Sequence, residues 1–114
     1  MSQQEENIRI PRIIFYEYSE INEYFNKDNL DVMVDILDGI QQGYDLKLNE
    51  ADIFEVEISN TKDVMLFSLT ENDWVRELNI ILNKFIYLEQ YELADRASKL
   101  ISKIKQDLNS KKSV

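Results

Sequence analysis

The sequence predicts an α+β domain: a small antiparallel sheet, made of an N-terminal strand and a hairpin, packed against an acidic helix and a C-terminal helical hairpin. Three observations point there. β-Branched and aromatic residues are dense in the first half, apolar residues recur at three- and four-residue spacing in the second, and 44% hydrophobic residues in a 114-residue chain match a single core. Residues 8–108 are expected to form one domain, with the helical hairpin at 74–108. The ends, 1–7 and 109–114, lack apolar periodicity and are expected to be disordered.

The stretch Ile8–Tyr18, IRIPRIIFYEY, is rich in residues that favour a pleated, half-buried surface and reads as a strand. Pro11 has no N–H to give a ladder, which places this strand at an edge or marks its entry. Ile21, Tyr24 and Phe25 then share one helical face and predict a short helix. Leu30–Gln42 is a longer one: Asp28 or Asn29 can cap it, and Gly43 stands where a left-handed terminating residue is wanted. Gly39 within it weakens the helix by about 1 kcal/mol relative to Ala. Leu30, Met33, Val34, Leu37 and Ile40 form its apolar arc, with Asp31, Asp35 and Asp38 opposite.

Asp52–Ile58 alternates, Phe54, Val56 and Ile58 on one face and Glu55 and Glu57 on the other. A turn-rich Ser59–Asp63 links it to apolar Val64–Leu69, which predicts an antiparallel hairpin. Thr70–Asp73 resembles a capping box with a short carboxylate. Trp74, Leu78, Ile81, Leu82, Phe85 and Leu88 then trace one stripe, and Leu93, Ala94, Ala97, Leu100, Ile101, Ile104 and Leu108 a second. Two such helices with a short connection lie side by side and bury each other's stripes.

The last of these segments, residues 82–108, resembles the UVR motif of the excision-repair proteins UvrB and UvrC and of some protein-quality-control adaptors. The likeness lies in Tyr91, Glu92 and Ala94, followed by Ile101 and Ile104; Ser98 and Lys99 stand where the family has Arg-Asp. The resemblance implies a small helical hairpin that mediates protein–protein contact, often by pairing with another hairpin.

Composition narrows the chemistry. With no Cys and no His, disulfides, thiolate or imidazole metal ligands and the usual His-paired nucleophiles are excluded. The sequence offers no catalytic, cofactor-binding or metal-ligating set, so the expectation is a protein that is not an enzyme and carries no cofactor. The net charge is −9, and it is uneven: residues 1–73 hold 17 acids and 5 bases, residues 74–114 hold 5 acids and 8 bases. Such a surface repels phosphate backbones and anionic lipids, so neither direct nucleic-acid contact nor a membrane is expected. No apolar run reaches the roughly 20 residues of a membrane span, and a cytoplasmic location is expected.

The candidate partner-binding residues are Asp28, Asp31, Asp35, Asp38, Glu55 and Glu57. On the helix the aspartates fall three or four residues apart, on the order of 6 Å between neighbours. This spacing approximates successive phosphates of a nucleic-acid strand. With Glu20 and Glu23 added, the acids could form one surface that imitates nucleic acid and occupies a basic groove of another protein, as a phage-type inhibitor would. Three other readings compete. The C-terminal hairpin could drive self-association as a homo-oligomeric structural protein. The carboxylates could hold a divalent ion for catalysis, although acids along one helix face diverge rather than converge. Phe15, Tyr16, Tyr18, Tyr24 and Phe25 could stack bases, although the lysines and arginines that accompany such platforms are scarce around them.

Overall fold

The computed structural model describes residues 10–26 and 29–112. Its elements run β1 (Arg12–Phe15), α1 (Ser19–Asn26), α2 (Leu30–Asp45), β2 (Glu50–Ile58), β3 (Asp63–Thr70), α3 (Glu71–Tyr87) and α4 (Tyr91–Lys112). The fold is α+β, with the helices packed on one face of a three-stranded sheet ordered β1-β2-β3. The hairpin β2–β3 is antiparallel, as its short turn requires. The sheet as a whole is mixed, and this corrects the expected antiparallel one: β1 runs parallel to β2, Arg12 opposite Glu55 and Phe15 opposite Ile58. The two intervening helices carry the chain back to the end from which β1 started, which a parallel pairing needs. β1 is an edge strand, and Pro11 precedes it with its carbonyl accepting from the Glu55 N–H at 2.8 Å.

Strand alternation decides which side is buried. Ala51, Phe54, Val56 and Ile58 of β2 are buried, and their cross-strand neighbours Ile13, Phe15, Met65 and Leu69 join them under the helices. A β-bulge between Asp52 and Phe54 lets Ile53 point inward as well, where it is buried against α2. The core is completed by Leu37 and Ile40 of α2, Trp74, Leu78, Ile81 and Phe85 of α3, and Ala97, Leu100 and Ile104 of α4. At one end Phe25 stacks on Phe54, ring centres 5.4 Å apart, and meets Phe15, Tyr24 and Phe67 edge-on. Phe15, Phe54, Tyr24 and Phe25 belong to the core or pack against it, while Phe67, Tyr16 and Tyr18 stay exposed.

Four local expectations need correction. Gly43 does not end α2. The helix passes through it to Asp45, and the glycine serves close packing instead, since a Cβ there would meet Ala51 Cβ at 3.1 Å and Trp74 Cζ2 at 3.2 Å. Termination falls to Lys47, which takes the left-handed conformation (φ 61°), with Leu48 N–H bonded to the Gly43 carbonyl and Lys47 N–H to that of Tyr44. Glu89 (φ 61°) repeats the device after α3, with Gln90 N–H on the Phe85 carbonyl. Thr70 precedes α3 but makes no side-chain cap; its hydroxyl turns to the Asp73 carboxylate instead, at 3.4 Å. The first strand spans only Arg12–Phe15, and the chain expected to be a disordered tail is helical as far as Lys112. Ile8 and the expected disordered 1–7 lie outside the described residues, as do positions 113–114.

Candidate protein-docking site

The acidic row of α2 begins at its cap. Asn29, extended at φ −88° and ψ 111°, accepts from the N–H groups of Asp31 (3.0 Å) and Val32 (3.4 Å), which fixes the first turn and so the direction of each carboxylate that follows. Asp31 and Asp38 are exposed and Asp35 is half-buried between them. Asp31 also lies in the first turn, where the helix dipole favours a negative charge. Asp35 has no such support. Burial, and then the charges of Asp38 and Asp31, push its carboxyl above the ordinary carboxylate range. Among the described residues neither Asp31 nor Asp35 has a cationic partner. Asp38 does: Arg96 of α4 donates to it at 2.9 Å.

Glu55 and Glu57 lie elsewhere. Because Val56 and Ile58 face the helices, the strand period sends these two glutamates to the opposite face of the sheet. There Arg12 bridges them, with Nη2 to Glu55 at 2.7 Å and Nη1 to Glu57 at 2.9 Å. These bonds raise the arginine's own pKa further. The expected single acidic surface therefore divides in two across the sheet, and three of its carboxylates already hold an arginine. Asp28 lies outside the described residues. Of the further acids, Glu20 accepts from the Tyr16 N–H at 3.0 Å and Glu23 is exposed.

One cleft was not legible in the sequence, since its walls come from three distant segments. It measures about 480 Å³ and is lined by Tyr44, Lys47 and Asn49 near the end of α2, Glu71 and Trp74 of α3, and Ile104 and Asp107 of α4. Tyr44 O–H donates to Asp107 at 2.7 Å, tying the end of α2 to α4 and holding the phenol above its usual pKa. Among the described residues no group of three carboxylates is placed to hold a metal ion, and no helix is long and apolar enough to cross a membrane.

No family model, curated protein or solved structure matches this chain. The C-terminal segment forms a helical hairpin, α3 and α4, and the UVR likeness is carried by its own residues alone.

Proposed function

We propose that this chain is a non-catalytic protein-binding module, a regulator or inhibitor that docks the acidic face of α2 onto a basic site of a larger protein. One observation carries the reading: Asp31 and Asp35, one helical turn apart, have no cationic partner among the described residues, and Asp35 is held in a position that disfavours its charge. A lysine or arginine supplied by a partner would reverse that penalty, so binding energy would concentrate at this turn. The docking residues are Asp31 and Asp35, with Asp38 able to exchange Arg96 for a partner's base; Glu55 and Glu57 would serve only a second contact on the far side of the sheet. Imitation of nucleic acid is the sharper form of the proposal, and the aspartate spacing on α2 supports it.

The assembly reading, in which copies associate through the C-terminal hairpin, finds Leu100 and Ile104 already buried within their own chain. Charging them would therefore unfold the protein rather than separate copies. The test of the docking reading is capture of proteins from the native host at moderate salt by the wild type and by Asp31→Lys with Asp35→Lys. We expect captured proteins with basic surfaces to be lost from the double variant while its circular dichroism is unchanged; the same proteins retained by both would overturn it.

A further inference from the structure

The sheet has two edges, and among the described residues only one is guarded. β1 is four residues long, follows Pro11 and carries Arg12, features that discourage a further strand. β3 is eight residues long, DVMLFSLT, with no Pro, Gly, Lys or Arg. Among the described residues no side chain or loop hydrogen-bonds the backbone of Val64–Ser68 outside the pairing with β2. Met65 and Leu69 pack against the core, but the strand leaves large apolar side chains exposed on each face. Val64 and Leu66, each 51% exposed, stand on the helix-free side. Phe67 is 41% exposed on the other side, beside a slot of about 150 Å³ lined by Ile36, Ile53 and Glu77 among others.

We propose that β3 is an interface between two copies of this chain, its free edge pairing antiparallel with the same strand of a second copy about a two-fold axis to give one six-stranded sheet. Charge selects this occupant. The chain carries −9 overall, so a second copy is repelled from most approaches, yet Val64–Thr70 contains no charged residue. Symmetry selects it too, because an antiparallel strand is self-complementary under a two-fold axis. With the axis perpendicular to the sheet, like faces stay together. Leu66 opposite its own counterpart then sets Met65 against Phe67, and Phe67 opposite its counterpart sets Met65 against Leu69. The first register joins apolar side chains on both faces, whereas the second does so only on the helix side, because it sets Leu66 against Ser68. The pairing consumes both unguarded edges, so assembly closes at two and leaves only the guarded β1 edges outside.

The test is sedimentation equilibrium of the full chain over a dilution series, with amide exchange read at Val64–Ser68. We expect a reversible two-chain mass that strengthens with added salt, since screening relieves the repulsion between two anionic copies, and exchange at these amides that slows as concentration rises. Val64→Lys with Leu66→Lys places the new ammonium groups opposite Glu57 and Glu55 of the same chain, so the fold is expected to persist while dimerisation weakens at least tenfold. A single-chain mass at every concentration, a dimer that survives the double variant, or protection that develops only outside β3 would overturn the proposal. If the double variant does not fold, the wild-type exchange decides alone: concentration-dependent slowing at Val64–Ser68 supports the interface, and its absence overturns it.

Discussion

Replacing Gly39 by Ala should destabilise the protein even though it improves the helix. Gly39 lies inside α2, where Ala is favoured by about 1 kcal/mol. Its α-carbon, however, faces the β2 bulge. A Cβ there would stand 2.7 Å from Ile53 Cδ1, 3.2 Å from the Asp52 carbonyl oxygen and 3.3 Å from Ile53 Cα. The first contact is with the end of a side chain that could turn, but Ile53 is only 3% exposed and has little room to do so. The other two are backbone, and α2 would have to rise from the sheet by a few tenths of an ångström to clear them. Overpacking of this kind costs roughly 1–3 kcal/mol. With three contacts tightened together the upper half of that range applies, leaving a net loss of about 1–2 kcal/mol after the propensity gain. Urea unfolding followed by circular dichroism measures it, with the slope m unchanged. Ile53→Val supplies the control. Alone it should lose about 1 kcal/mol, but combined with Gly39→Ala it removes the worst overlap, so the double variant should be more stable than the two losses summed, by at least about 0.5 kcal/mol. A Gly39→Ala protein more stable than wild type, or strict additivity, would refute the close-approach argument.

Three further outcomes are expected. The raised Asp35 carboxyl binds its proton more tightly in the folded than in the unfolded chain, so it withdraws stability as pH rises from about 3.8 through its elevated folded value; Asp35→Asn should raise the melting temperature at pH 7 and lose that advantage in acid, and a gain equal at both pH values would contradict the assignment. Trp74→Phe removes buried volume and leaves the Leu69 carbonyl without the indole N–H that bonds it at 2.9 Å, a loss of about 2–3 kcal/mol in the same urea assay. Glu89→Gly relieves a left-handed residue at the α3–α4 turn and should stabilise by roughly 0.5–1 kcal/mol; no gain, or a loss, would mean that the Glu89 side chain contributes at this turn.

The apolar stripes were legible because they depend only on helical and strand periods: Trp74, Leu78, Ile81 and Phe85, then Ala97, Leu100 and Ile104, are buried where their spacing put them. The direction of β1 was not, since nothing in Arg12–Phe15 encodes which way its neighbour runs. Helix ends misled for a physical reason. A glycine normally supplies the left-handed residue, but this chain has two glycines, both in α2 against the sheet or Trp74, and Lys47 and Glu89 take the left-handed positions at the helix ends instead. At the site, the Asp31–Asp35–Asp38 row followed from spacing alone. Its separation from Glu55 and Glu57 did not, because that needs the side of the sheet on which α2 packs. The Arg12 and Arg96 pairs join residues far apart in sequence, and no local pattern announces them.

The two surfaces are coupled by geometry. A two-fold axis perpendicular to the sheet keeps the helix layers of both copies on the same side, so a β3-paired dimer would carry its two α2 aspartate rows on the same side of the sheet. Each row alone offers a few partly solvated charge contacts, which are individually weak. Two rows on a rigid six-stranded sheet would bind a basic surface with the second contact made intramolecular, and avidity of this kind can exceed the single-site affinity by about 10²–10⁴ when the spacing fits. Val64→Lys with Leu66→Lys leaves Asp31 and Asp35 untouched, so by contact chemistry alone it should capture partners as well as wild type does. If the rows act as a pair, the double variant should release those partners at lower salt than wild type, and a single-chain fusion of two copies bearing the same lysines should not restore retention unless its linker brings the two rows to the same side. Equal salt resistance of the folded, monomeric variant and the dimeric wild type would show that each row docks independently.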